Sequence, residues 1–113
     1  MAARLPLIAE VNHAVDALGM YRAELARILC LKCYDVSDSM QLELLLGEDP
    51  EITYRAKRFV YLYALLDKQF SGDTANMAHW IRRENVFLGT TPLLAMVDQG
   101  GMEDVIAIIS KGV

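Results

Sequence analysis

The residues of this chain that could take part in catalysis or metal binding are few and widely spaced. Cys30 and Cys33 form a C-x-x-C pair, which is a redox or zinc motif only when further ligands accompany it. The sequence has no second C-x-x-C, and neither His13 nor His79 lies at a zinc-finger spacing from the pair. We therefore interpret the two cysteines as half-buried thiols at a helix end, and we predict no metal site.

The histidines and acids also lack the neighbours that acid–base or nucleophilic chemistry needs. His13 falls between the apolar positions of the first predicted helix. His79, beside Trp80, is more typical of an interface contact than of a general base. The sequence has no phosphate-binding loop and no dinucleotide-binding glycine pattern. It therefore predicts a protein that is not an enzyme and binds no cofactor.

Length and charge narrow the remaining classes of function. A chain of 113 residues can form one domain with a modest core, and its 54% hydrophobic content favours an interaction surface in addition. Residues 1–50 hold four basic and eight acidic side chains, whereas residues 51–113 hold seven of each, which together give the net charge of −4. Dedicated nucleic-acid binders usually have a basic face.

With no signal-peptide pattern and no apolar run of about 20 residues, we expect a cytoplasmic protein.

The elements that must position any functional residues are helices, because no segment alternates apolar and polar residues as strands do. Asp49 and Pro50 predict the N-cap and first residue of the longest helix, and Asp73 and Thr91 predict two further N-caps. In chain order, the predicted helices cover residues 7–18, 21–29, 37–46 (closed by Gly47), a long helix from 50, 74–83 (with Ala75, Ala78 and Ile81 on one side), 92–97, and a last helix that stops at 111–112.

The long helix carries a heptad-like apolar stripe. Its members recur at spacings of 4, 3, 4, 3 and 4: Ile52, Ala56, Phe59, Tyr63, Leu66 and Phe70. Val60, Leu62 and Leu65 add a second apolar face. A helix that is apolar on two faces is either central in a bundle or shared with a dimer partner, and the pattern leaves both possibilities open.

Residues 24–32 have the form of a helix-turn-helix, in which Ala26 lets two helices approach and a turn follows Leu29. Cys30 stands where glycine usually permits the tight turn. The recognition segment that would follow, residues 34–43, holds three acids and no base, and DNA phosphates would repel it. The region is either a DNA reader or a degenerate scaffold. The residues that would contact DNA are Lys32, Tyr34, Ser37, Ser39 and Gln41.

The segment from Trp80 to Leu94 is the most distinctive part of the chain. It contains the single tryptophan, an Asn-x-x-Leu-Gly turn and a Thr-Pro helix start. A subdomain of about 40 residues does not bury this many large apolar side chains by itself, and tryptophan and methionine are favoured at interfaces. The segment therefore predicts a docking surface, with these large apolar residues in or near it: Trp80, Phe87, Leu88, Leu93, Leu94 and Met96.

The order of residues in this segment resembles the toxin-binding domain of the Xre/MbcA/ParS-type antitoxin family. That family typically has the pattern Trp-Leu-x-x-x-Asn-x-x-Leu-Gly-Gly-x-x-Pro-Leu, then a Gly-x-x-x-Val helix and a terminal glycine. The matching residues here are Trp80, Asn85, Leu88, Gly89, Pro92, Leu93, Gly101, Val105 and Gly112. Thr90 replaces the second glycine, and Arg55 and Arg58 match an arginine pair of the family's central helix. The resemblance covers residues 50–113 and is poor over 1–48.

The resemblance implies an all-α fold with a degenerate Xre-like helix-turn-helix region at 1–48, and a long helix with a toxin-binding domain at 49–113. It implies a type II antitoxin that covers the NAD+ cleft of a RES-domain toxin, dimerises and represses its own operon. The alternatives are a transcriptional regulator without a toxin partner and a helical adaptor.

The resemblance also implies the residues of the sites. Those for partner binding are Trp80, Arg82, Arg83, Asn85, Leu88, Pro92, Leu93, Met96, Val105, Lys111, Gly112 and Val113. Arg55, Arg58, Arg82 and Arg83 would pair with acidic groups of the partner. The residues of the dimer or core seam are Ile52, Phe59, Tyr63, Leu66 and Phe70.

Overall fold

The computed structural model describes residues 6–31, 39–98 and 100–112. Within these ranges the chain forms seven helices and no strand, which confirms the predicted all-α fold class. In chain order the helices are α1 (Leu7–Ala17), α2 (Arg22–Leu29), α3 (Ser39–Glu48), α4 (Pro50–Gln69), α5 (Thr74–Ile81), α6 (Pro92–Asp98) and α7 (Met102–Ser110). None of the helices in the described part of the chain has the length and apolar character needed to span a membrane.

Helix α4 is the central element, since α1, α2, α3, α5 and α7 all pack against it. Its start is as predicted: the Asp49 carboxylate accepts hydrogen bonds from the backbone N–H groups of Glu51 and Ile52 at 2.9 and 3.3 Å. Pro50 occupies the first turn, where a missing N–H costs nothing. The cap satisfies backbone donors that a helix end otherwise leaves without partners.

The predicted apolar stripe of α4 faces the core of the single chain. Ile52, Ala56, Phe59 and Leu66 are buried, and Leu62 from the second predicted face is buried with them. The other two members of the stripe, Tyr63 and Phe70, are partly buried against the same core. Of the two interpretations that the sequence left open, the structure supports the core for this stripe, because five other helices cover it.

One hydrophobic cluster joins both of the predicted regions. Val11 and Leu25 come from the first region, Phe59 and Val105 from the second, and all four side chains are fully buried in the same cluster. The predicted boundary at residue 48 falls between α3 and α4, two helices that pack on each other and share this core.

Two predicted helix ends are wrong. Gly47 lies inside α3, which continues to Glu48, because the residue before Pro50 is the one forced out of helical geometry. Helix α5 ends at Ile81 rather than at Arg83. Its buried residues are Met77 and Ile81, four positions apart on one face, whereas Ala75 is exposed.

The turn after α2 has the geometry that normally needs glycine. Cys30 adopts a left-handed backbone with φ 60° and ψ 41°. The N–H of Leu31 donates to the carbonyl of Ala26 at 2.7 Å, and the N–H of Cys30 donates to that of Arg27 at 3.2 Å. These bonds form a Schellman cap, so the predicted tight turn is present with a cysteine in the glycine position.

Candidate partner-binding surface

Residues 85–90, here called the 85–90 loop, join α5 to α6 in a turn organised by Asn85. The N–H of Asn85 donates to Thr90 O at 2.9 Å, and its carbonyl accepts from the N–H groups of Leu88 and Gly89 at 3.1 and 3.0 Å. Its side-chain Oδ1 accepts from the N–H of Phe87 at 2.9 Å. Gly89 has φ +71°, which glycine adopts without strain. The Asn-x-x-Leu-Gly motif thus holds the loop in one shape.

The tip of this loop presents two large apolar side chains to water. Val86 is 86% exposed and Phe87 is 85% exposed. Bulky apolar residues are usually buried, so two consecutive ones on a hydrogen-bonded turn are an unusual feature of a surface. Because the backbone is already fixed, the ordering cost of burying them against another protein is reduced.

A shallow groove of about 390 Å³ lies beside Phe87, between the loop and helices α6 and α7. Leu88, Ala107 and Ile108 line it, and the carboxylate of Asp104 stands among them. Ala107 is exposed and Ile108 is half-buried. We call the five apolar residues the apolar surface: Val86, Phe87, Leu88, Ala107 and Ile108.

Arg82, at the end of α5, is engaged within the chain. Its guanidinium donates to both carboxylate oxygens of Glu24 at 2.9 and 3.2 Å and to the carbonyl of Gly19 at 3.0 Å. It also lies 5.6 Å from the centre of the Tyr21 ring. The hydrogen bond that Arg82 donates to Glu24 raises the pKa of the arginine. This residue therefore ties the end of α5 to the start of α2.

The arginine pair predicted on the central helix is also engaged internally. Arg58 donates to both carboxylate oxygens of Glu103 at 2.9 and 2.6 Å, and Arg55 lies 3.2 Å from Glu51. The hydrogen bond between Arg58 and Glu103 raises the pKa of the arginine and lowers that of the acid. These arginines, together with Arg27, border a second groove of about 480 Å³ between α2, α4, α6 and α7.

The other predicted partner-binding residues divide into surface and core. Arg83, Lys111 and Gly112 are exposed, Trp80 is half-buried against the core, and Val113 lies outside the described residues. Asn85 and Leu88 belong to the 85–90 loop.

Four of the predicted contact residues are buried instead: Pro92, Leu93, Met96 and Val105. The prediction that they contact a partner directly does not agree with this burial. Helices α6 and α7 are short and pack on each other, while α2 covers α6 and α4 covers α7. Apolar residues at helical spacing are therefore drawn into the core.

The predicted partner-binding residues do not include Val86 or Phe87, although the sequence places Phe87 in or near the docking surface. The missed signal is their position: two apolar residues lie inside a turn, where helical periodicity does not direct side chains to a core.

Three of the predicted DNA-contacting residues, Lys32, Tyr34 and Ser37, lie outside the described residues. Ser39 begins α3, and Gln41 is exposed on it. The residues of α3 include the acids Glu43 and Glu48, both exposed, and no base. DNA binding by this region stays a prediction.

Within the described ranges, no group of three or more His, Cys, Asp or Glu side chains is placed to hold a metal ion. No protein-family model matches the sequence, and no curated protein matches it. The resemblance to the antitoxin family therefore rests on the motif itself.

Proposed function

We propose that this protein is a binding inhibitor of the antitoxin type, which docks its apolar surface onto a RES-domain, NAD+-consuming toxin. The observation that carries the proposal is the near-complete exposure of Val86 and Phe87 on a loop held by its own hydrogen bonds. Inhibition would be steric, since the inhibitor needs only to cover the toxin's NAD+ cleft.

The chemistry of the surface suits a stable protein interface. Burying an exposed phenylalanine or valine side chain in an interface contributes about 1.5–3 kcal/mol each to the free energy of binding. Aromatic residues at the centre of an interface commonly account for much of its binding free energy. Arg83, exposed beside the loop, supplies a positive charge at the rim, where it can meet an acidic group of the partner.

The motif that resembles the antitoxin family supports the same proposal in a different way. Asn85 and Gly89 shape the loop, and Leu93 and Val105 are buried in the core. In this interpretation the motif residues maintain the shape of the 85–90 loop, while the side chains of Val86 and Phe87 contact the toxin.

The test is co-expression with a RES-domain toxin encoded in an adjacent reading frame. The intact chain is expected to restore growth and to co-purify with the toxin. A chain carrying Val86→Ser and Phe87→Ser is expected to lose both effects while keeping its helical circular dichroism, because both side chains are exposed.

The matched control is Tyr54→Ser, an exposed aromatic that lines the separate groove beside Arg55. This variant should rescue growth as the intact chain does. The proposal is wrong if the intact chain gives no rescue, or if the doubly substituted loop variant still rescues and co-purifies.

A further inference from the structure

Helix α7 has an outward face that continues the apolar surface. Asp104, Ala107, Ile108 and Lys111 recur at spacings of 3, 1 and 3, which places them on one side of the helix. Lys111 follows the last helical residue and keeps a right-handed helical backbone. Ile108 is half-buried, and the other three residues are exposed. The face therefore has an acid at its N-terminal end, an apolar centre and a base at its C-terminal end.

The carboxylate of Asp104 is a free charge within an apolar groove. Among the described residues that line the groove beside Phe87, Asp104 alone is charged. Its neighbour Glu103 is paired with Arg58, whereas no hydrogen bond or ion pair joins the side chain of Asp104 to any described residue. Near the start of α7 the carboxylate is stabilised by the helix dipole and by water.

Covering the groove removes that water from Asp104. A carboxylate that is taken out of water without a partner costs several kcal/mol, enough to cancel much of the gain from burying Phe87. A protein that binds the apolar surface must therefore bring a basic side chain to this position. The charge of Asp104 thus selects among partners, since an acidic or apolar group placed opposite it is disfavoured.

The backbone of the surface offers a partner few free hydrogen-bonding groups. In the 85–90 loop the N–H groups of Asn85, Phe87, Leu88 and Gly89 already donate within the loop. Ala107 lies inside α7, where backbone groups are bonded along the helix. An extended segment would leave its own backbone groups without partners here, whereas a helix satisfies them internally and presents only side chains.

We propose that the partner docks a helix antiparallel to α7, with a lysine or arginine of that helix paired to Asp104. Basic residues are favoured near the C-terminal end of a helix, and Asp104 lies at the N-terminal end of α7, so their pairing sets the two helices antiparallel. Apolar side chains of the partner's helix then lie against Phe87 and Ile108, and an acid in its first turn meets Lys111. The inference rests on the proposed function for the identity of the partner and adds the chemistry that this partner presents.

The experiment measures binding of the full chain to the RES-domain toxin of the adjacent reading frame by isothermal titration calorimetry. Asp104→Lys is expected to raise the Kd at least about tenfold, because it opposes two bases across a desolvated contact. Asp104→Asn should raise it less and should make binding less sensitive to salt. The matched control is Asp16→Lys, at an exposed acid of α1, which changes the net charge equally and should bind as the intact chain does. Circular dichroism checks that each variant is folded.

A charge-reversal scan of the toxin then identifies the base. Each of its surface lysines and arginines is changed to glutamate and tested against the Asp104→Lys chain. One such change is expected to restore binding, and the restored residue should lie in the last two turns of a toxin helix. The inference is overturned if Asp104→Lys binds as tightly as the intact chain, if no reversal restores binding, or if the restoring residue lies outside a helix.

These outcomes differ from a failure of the proposed function. An intact chain that does not bind the toxin refutes the proposed function, and this inference with it. If the intact chain binds, the variant with Val86→Ser and Phe87→Ser does not, and Asp104→Lys binds normally, the proposed function stands and only the antiparallel helix with its basic residue is refuted.

Discussion

At the scale of single residues, backbone conformation explains more of this protein than reactive side chains do. Gly89 gives the 85–90 loop its left-handed turn, and Asn85 closes the loop with its backbone and its side chain. These two residues put Phe87 in water. The cysteine at position 30 shows the same principle, since it occupies a left-handed cap that glycine would fill at less cost.

Alanine substitutions at two glycines, Gly89 and Gly47, separate the effect of backbone conformation on stability from the effect of packing. Gly89→Ala is expected to lower the free energy of unfolding by about 1 kcal/mol or more, because alanine is strained at φ +71°. Gly47→Ala, within α3, is expected to raise it by about 0.5–1 kcal/mol, because alanine is the better helix former.

At neither glycine does an added Cβ meet any atom within 4 Å, so steric clash plays no part in either change. Urea unfolding followed by circular dichroism gives both values. If both substitutions changed the free energy of unfolding in the same direction, the explanation by backbone conformation would be wrong.

At the scale of elements, the long helix α4 organises the core of the molecule. Its apolar stripe is covered by α1, α2, α3, α5 and α7, whereas Tyr54, Lys57 and Tyr61 on the opposite side are exposed. Its start is defined by a cap that the sequence predicts correctly, with Asp49 and Pro50 in their expected roles.

The cap of α4 makes a measurable contribution to stability. Asp49→Ala removes the acceptor for two backbone N–H groups, and it is expected to lower the free energy of unfolding by about 0.5–2 kcal/mol. Asp49→Asn keeps an acceptor and should lose much less. Thermal unfolding of the three proteins compares them directly, and an equal loss in both variants would show that the hydrogen bond is not the cause.

At the scale of the whole molecule, ion pairs connect elements that are far apart in the chain. Arg58 and Glu103 join α4 to α7, and Arg82 and Glu24 join the end of α5 to α2. Arg58 and Arg82, which the sequence analysis predicts to pair with acidic groups of a partner, therefore stabilise the monomer through ion pairs within the chain. Both pairs are partly solvated, so each stabilises the fold by no more than about 1 kcal/mol.

The pair between Arg58 and Glu103 predicts a specific dependence on pH. Its hydrogen bond lowers the pKa of Glu103 in the folded chain, so the unfolded chain takes up the proton first as the pH falls. The contribution is fully present above the unfolded pKa of about 4.3 and is lost as the pH falls through the lower folded value.

Chemical unfolding of the intact chain and of Glu103→Gln should therefore differ at pH 7 and converge at low pH. High salt should reduce the difference at pH 7, because screening weakens partly exposed pairs. A difference that is the same at every pH would mean that packing, and not charge, is responsible.

The fold was largely predictable because helices depend on local signals. The apolar spacing of α1, the caps of α4, α5 and α6 and the all-α class all follow from neighbouring residue types, and the structure agrees with them. The errors occur where a local signal is ambiguous: glycine at position 47 is tolerated inside a helix, and Ala75 is too small to indicate which face is buried.

The candidate site was predictable in location but not in detail. The amino-acid sequence by itself determined that residues 80–94 form a turn followed by a capped helix, because Asn85, Gly89 and Thr91 have strong conformational preferences. Tertiary packing alone decided which side chains reach water. Burial depends on how distant helices cover one another, and that packing takes Leu93 into the core while leaving Phe87 exposed.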